Sequence, residues 1–134
     1  MELHFSWYEF NSRFYPRVQC HNNEEEGLSY PFNLLVDDGG LGFIHHLSWL
    51  KEGSSMCERV IHGNSMKEFF TTELFAADIA SEGVSIYDIT AEPTDGVLFS
   101  LQGFYTTINE WINFLERGKD IEKPCEVFVF NYVE

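Results

Sequence analysis

Thr107-Ile108-Asn109-Glu110-Trp111-Ile112-Asn113-Phe114-Leu115-Glu116-Arg117-Gly118 is the stretch on which the fold turns. Ile108, Trp111, Ile112 and Leu115 stand at i, i+3, i+4 and i+7, which makes one apolar stripe along a helix. Thr107 and Glu110 have the spacing of a capping box, and Gly118 offers a C-terminal cap. Strand-like runs lie on both sides. Val84 to Thr90 and Val97 to Gln102 precede the helix and Glu126 to Val133 follows it, all rich in β-branched or aromatic residues. Glu92-Pro93-Thr94-Asp95-Gly96 separates the first two runs and has the Asp-Gly signal of a tight hairpin.

Further upstream, Ser65-Met66-Lys67-Glu68 repeats the capping-box spacing, with Phe70, Leu74 and Phe75 behind it, and predicts a second helix that stops at Gly83. Phe32 to Val36 reads as a strand, followed by a turn at Asp37-Asp38-Gly39-Gly40. Leu41 to Leu50 fits either a strand with Phe43, His45, Leu47 and Trp49 on one face or a helix presenting Ile44, Leu47 and Leu50; the strand is the reading adopted. Leu3 to Phe10 is an aromatic-rich opening strand. Arg13 to Cys20 is its antiparallel partner or an edge strand, because Pro16 cannot donate to an inner ladder. The order is four strands, helix, two strands, helix, strand. This predicts an α+β fold: a mostly antiparallel sheet with two main helices packed on it, in a single domain spanning residues 1–134.

The chain has 134 residues, 44% of them hydrophobic and 16% aromatic. That length buries roughly two-thirds of the unfolded surface without help from disulfides or metals. Cys20, Cys57 and Cys125 are an odd number without metal-site or redox-pair spacing, which suits a reducing compartment. The N-terminus lacks a cationic segment followed by an apolar run, and no stretch has the apolar length of a membrane span, so a cytoplasmic location is expected.

Twenty-two Asp and Glu against eight Lys and Arg give a net charge of −14. Nucleic-acid phosphates and anionic lipid repel such a surface, so the expected partner is a basic protein, with no direct nucleic-acid contact and no membrane. Between Lys67 and Arg117 there is no Lys or Arg, while Glu68, Glu73, Asp78, Glu82, Asp88, Glu92, Asp95, Glu110 and Glu116 lie in that span. Solubility alone accounts for many acidic surfaces. Self-repulsion of like charges on one compact domain nevertheless destabilises it, a cost that a cationic partner would offset. Candidate contacts are the acidic residues of loops: Glu24, Glu25 and Glu26 in Asn22 to Gly27, Asp37 and Asp38 in the turn, and Glu92 and Asp95 in the hairpin. The triplet is a solvated tip or an anionic finger entering a basic cleft. Tyr30 and Tyr105 are candidate aromatic anchors.

Enzymatic readings lack their equipment. Phosphate-loop, dinucleotide and serine-hydrolase motifs are absent, as is H-E-x-x-H. His45-His46 on a strand would point to opposite faces, and Cys20-His21 and Cys57 to His62 do not match zinc-ligand spacing. Cys57, near Arg59 and His62, is the nearest approach to a cysteine nucleophile, in surroundings too anionic to favour thiolate. No catalytic residue, metal ligand or cofactor is expected.

The opening Met-Glu-Leu-His-Phe-Ser-Trp-Tyr, the run Asp95 to Phe104 leading into Ile108 to Leu115, the last strand, the size and the acidity together resemble the small acidic immunity proteins that neutralise bacterial polymorphic toxins, including those of contact-dependent growth inhibition systems. The resemblance implies a cytoplasmic, non-enzymatic antitoxin. It would bind a cognate toxin domain, often a nuclease, and cover its active site or a neighbouring surface. The alternative with the same size and charge is a phage-encoded DNA mimic that blocks a defence nuclease. A small enzyme or ligand-binding domain has no motif in its support.

Overall fold

The computed structural model describes residues 2–20, 30–39, 43–91, 96–118 and 127–131. Two antiparallel sheets and three helices make an α+β fold. Strands β1 (Glu2–Phe10) and β2 (Arg13–Cys20) are followed by helices α1 (Tyr30–Val36) and α2 (Phe43–Ile61). Strands β3 (Lys67–Thr71), β4 (Phe75–Ala80), β5 (Gly83–Asp88) and β6 (Val97–Phe99) come next, then helix α3 (Leu101–Arg117) and strand β7 (Val127–Asn131). The sheet orders are β2-β1-β7 and β3-β4-β5-β6.

The first sheet starts from a hairpin in which Phe10 pairs with Arg13 across Asn11 and Ser12, at φ 51° and 62°. Positive φ at both central residues matches the right-handed twist of the strands they join. Leu3, Phe5 and Trp7 alternate onto the core face, and Phe14 and Val18 of β2 pack beside them. Phe5 meets Trp111 edge-on at 4.9 Å, and Trp7 stacks on Phe114 at 5.5 Å. Such pairs contribute about 0.5–1.5 kcal/mol beyond the area they bury. In the second sheet Phe70, Ala77, Ile79, Val84, Ile86 and Phe99 turn to the same core, which therefore draws on both sheets and all three helices.

The strands expected at Leu3 to Phe10, Arg13 to Cys20 and Val84 to Thr90 are present with small changes of boundary, and the strand expected at Glu126 to Val133 is present over its described residues, Val127–Asn131. β5 pairs antiparallel with β6, although β6 stops at Phe99; Ile86 pairs with Val97, so the connection is longer than the tight hairpin expected, and its Glu92 to Asp95 lie outside the described residues. Helix α3 begins two turns before Thr107. Its N-cap is Ser100, whose Oγ accepts from Gly103 N, while Thr107 is buried and donates back to Gly103 O at 2.8 Å. Gly118 caps the other end, its N–H bonded to Leu115 O.

Three expectations are overturned. Phe32 to Val36 belongs to helix α1, and the favoured strand at Leu41 to Leu50 falls largely within the nineteen-residue helix α2. The helix expected from Ser65 is instead the hairpin of β3 and β4. Ser65 Oγ donates to Lys67 O and Glu68 accepts from Arg59, so neither member of the supposed capping box caps anything. Gly83 ends no helix: it sits at φ 145°, and a Cβ there would stand 2.7 Å from Phe99 O.

Among the described residues, no helix is long and apolar enough to cross a membrane.

Candidate functional site

The carbonyl of Leu35, near the end of α1, accepts both His46 Nε2 at 2.8 Å and Trp111 Nε1 at 3.2 Å. One acceptor thus ties α1 to α2 and α3 and fixes where the chain emerges at Asp37. Burial is the largest influence on His46, which is 6% exposed, and pushes its pKa below the usual histidine value despite the opposing Leu35 hydrogen bond and the nearby Asp38 and Asp37. The ring is neutral at pH 7.

Asp37 does not stand free in its turn. Its Oδ2 accepts from Thr72 Oγ1 at 2.8 Å and from Leu74 N at 2.7 Å, which brings the β3–β4 turn against the end of α1. Glu73, between those two donors, comes with it. A Cβ added to Gly39, itself at φ 61°, would stand 3.1 Å from Glu73 Oε2, so that carboxylate lies against the Gly39 backbone. Asp37, Asp38 and Glu73 line one side of an open groove of about 460 Å³. Trp49 lines it too, 42% exposed, with Nε1 donating to Thr71 O and its ring stacked on Phe70 at 5.6 Å. The two aspartates also follow the carbonyl end of α1, whose partial negative charge has the same sign. Carboxylates beside a partly open indole suit an ammonium or guanidinium group.

A second cleft of about 380 Å³ adjoins this groove and shares Asp38 and His46 with it. It runs along β2, the end strand of its sheet, over Leu35, Trp111 and Leu115, with Arg17 and the paired tyrosines Tyr8 and Tyr15 at its rim.

Of the residues singled out from the sequence, Asp37 and Asp38 meet in the acidic groove. Glu24, Glu25, Glu26, Glu92 and Asp95 lie outside the described residues, as does the side chain of Tyr30. Tyr105 is engaged, donating to Glu58 Oε1 at 2.8 Å. The span without Lys or Arg does not form one anionic face. Glu73 and Glu82 sit beyond opposite ends of β4, about 20 Å apart at the usual rise per residue, while Glu68 pairs with Arg59 and Glu116 with Lys51. Sequence reasoning missed Glu73 and Trp49 as groove residues because it put them on the wrong kinds of element. The Thr71-Thr72 pair, which favours a strand over a helix, was the available signal for Glu73.

His45 and His46 are on a helix, so opposite-facing placement on a strand is not what separates them. Among the described residues, no group of three or more His, Cys, Asp or Glu is placed to hold a metal ion. Cys57 is fully buried, and that burial, with Glu58 nearby, pushes its thiol up to about 12, far from thiolate at neutral pH. No protein-family model matches the chain, and no curated protein or solved structure matches it either.

Proposed function

We propose that the protein is a non-enzymatic acidic binding protein that neutralises a basic cognate toxin domain, a nuclease, by covering its active site or an adjacent surface. The observation behind this reading is the convergence of Asp37, Asp38 and Glu73 beside Trp49, residues from the segment after α1, from the β3–β4 turn and from α2 that meet only in the folded chain. Such a groove takes a lysine or arginine side chain from the partner, with the aromatic ring and the carboxylates acting on one cation. The net charge of −14 adds long-range attraction, and steered association supports the rapid capture that inhibition of a toxic enzyme needs.

Co-expression with the toxin domain encoded by the adjacent reading frame, followed by association kinetics across a salt series, tests the proposal. Asp38 and Glu73 line the groove and are the residues to reverse, with Asp37 left in place to keep its bonds to the β3–β4 turn. The double variant Asp38→Lys, Glu73→Lys should associate at least about tenfold more slowly, and the wild-type rate should fall steeply with salt. A folded double variant with unchanged kinetics would remove the groove from the interface. A rate indifferent to salt would remove the electrostatic account altogether.

A further inference from the structure

We propose that the outward face of the β1–β2 hairpin is a docking surface for an acidic segment of a protein partner, held by Arg13 and Arg17 across an exposed pair of tyrosines. The register sets Phe10 opposite Arg13, Tyr8 opposite Tyr15 and Ser6 opposite Arg17. Strand alternation turns these three rows away from Phe5 and Trp7, which fill the core face. Their large side chains are open to solvent: Phe10 is 61% exposed, Tyr8 39% and Tyr15 38%, and both arginines are exposed. The outer face of an antiparallel sheet is ordinarily polar, so three aromatic rings together on one hairpin mark a contact surface.

Charge identifies the occupant. The chain carries almost three carboxylates for each Lys or Arg, yet neither Arg13 nor Arg17 forms an ion pair among the described residues, and the three rows contain no Asp or Glu. The Arg17 guanidinium lies over the Tyr8 ring, 5.5 Å from the centroid, and that ring lies 5.6 Å from Tyr15. Stacked by one face, the planar fork keeps its N–H edge for a carboxylate, which it matches with two parallel hydrogen bonds. Tyr and Arg are also the residues enriched where protein interfaces bind most tightly, and Lys, Asp and Glu are depleted there. Arg13 and Arg17 stand four residues apart on β2, about 14 Å at the usual rise per residue. An extended segment with carboxylates at i and i+4 therefore reaches both and lays its intervening side chains on the tyrosines. Two arginines neutralise only about two phosphates, too few to hold a nucleic acid against a net charge of −14. A second copy laid face to face would set arginine against arginine and join two chains of that charge.

Selection of a displayed library of random dodecapeptides on the full chain tests the surface. It should return a class with two or more Asp or Glu. For a recovered acidic peptide, replacing those residues by Asn and Gln should weaken binding about tenfold or more, the size expected for charge-assisted pairs. The double variant Arg13→Gln, Arg17→Gln should bind the acidic peptide about as weakly, and Arg17→Lys should lose less. The absence of an acidic class overturns the proposal, as does equal binding of the acidic peptide and its amide counterpart. So does a folded double variant that binds as the wild type does. An oligothymidylate that binds more tightly than the acidic peptide, and loses that binding in the double variant, would give the face to single-stranded nucleic acid instead. A dimer of the free chain that the double variant dissolves would give it to a second copy. The acidic groove selects the opposite charge, so the two readings fail separately.

Discussion

At Asp37 one carboxylate oxygen does the work of a turn. It accepts from the Thr72 hydroxyl and the Leu74 amide, and so holds a hairpin turn some thirty-five residues away in sequence against the end of α1. Asp37→Ala should destabilise the protein by about 2 kcal/mol, because a buried hydrogen bond to a charged acceptor is worth about 1.5–3 kcal/mol and Asp37 is only half-buried. Asp37→Asn keeps an acceptor oxygen and should cost less. Urea denaturation of both variants decides this, and equal losses would mean that the hydrogen bonds are not the source. His46 gives a prediction in pH. Its folded pKa lies below the unfolded value of 6.5, so the unfolded chain takes up the proton first as the solution is acidified. Its contribution is therefore complete above pH 6.5 and is lost as pH falls from there through the folded pKa. Stability measured from pH 7.5 to pH 5 should decline with a component absent from His46→Gln; parallel curves would assign the decline to the carboxylates instead.

Helix α2 shows where local signals stop short. Its buried stripe is His46, Leu50, Gly53, Cys57 and Val60, spaced by four, three, four and three, which is a helical repeat in which only two members are large aliphatics. Gly53 reads as a loop residue by propensity, yet it sits in the helix at a close approach: a Cβ would lie 3.0 Å from both Ile108 Cδ1 and Phe70 Cε2. Its value is packing, invisible until α3 and β3 are in place. The S-x-x-E pattern at Ser65 misleads for the opposite reason, since a cap that is possible locally is outcompeted by β3–β4 pairing and by the Arg59–Glu68 contact. Helix α3 was legible because Ile108, Trp111, Ile112 and Leu115 repeat with large apolar side chains. In the acidic groove, Asp37 and Asp38 were legible from turn chemistry, whereas Glu73 needed the hairpin to be recognised first. The β1–β2 turn was unmarked, because Asn11-Ser12 lacks the glycine that usually signals positive φ. Serine pays a conformational penalty there, so Ser12→Gly should stabilise the hairpin by about 0.5–1 kcal/mol, less any extra entropy of glycine in the unfolded chain. A rise in the urea midpoint at unchanged slope checks this, and a loss of stability would show that the Ser12 side chain itself contributes.

For the molecule as a whole, the charge of −14 acts on folding and on association with opposite sign. A chain of this length has a radius of gyration of about 14 Å folded and about 38 Å unfolded, so folding draws the same carboxylates together. Few are neutralised by ion pairs among the described residues: Lys51 meets Glu116, and Arg59 serves both Glu52 and Glu68. Salt shortens the Debye length from about 30 Å at 0.01 M to about 10 Å at 0.1 M, which removes more repulsion from the compact state than from the expanded one. Raising sodium chloride across that range should therefore stabilise the free protein by on the order of 1 kcal/mol, a rise in Tm of about 4 °C for a domain of this size. The same screening should slow encounter with a basic partner, where the attraction is between molecules. Thermal melts and association rates in one salt series separate the two effects. A Tm that is flat or falls would mean that self-repulsion is not a significant cost of this surface, and the argument that so acidic a domain gains from a cationic partner would lose its energetic basis.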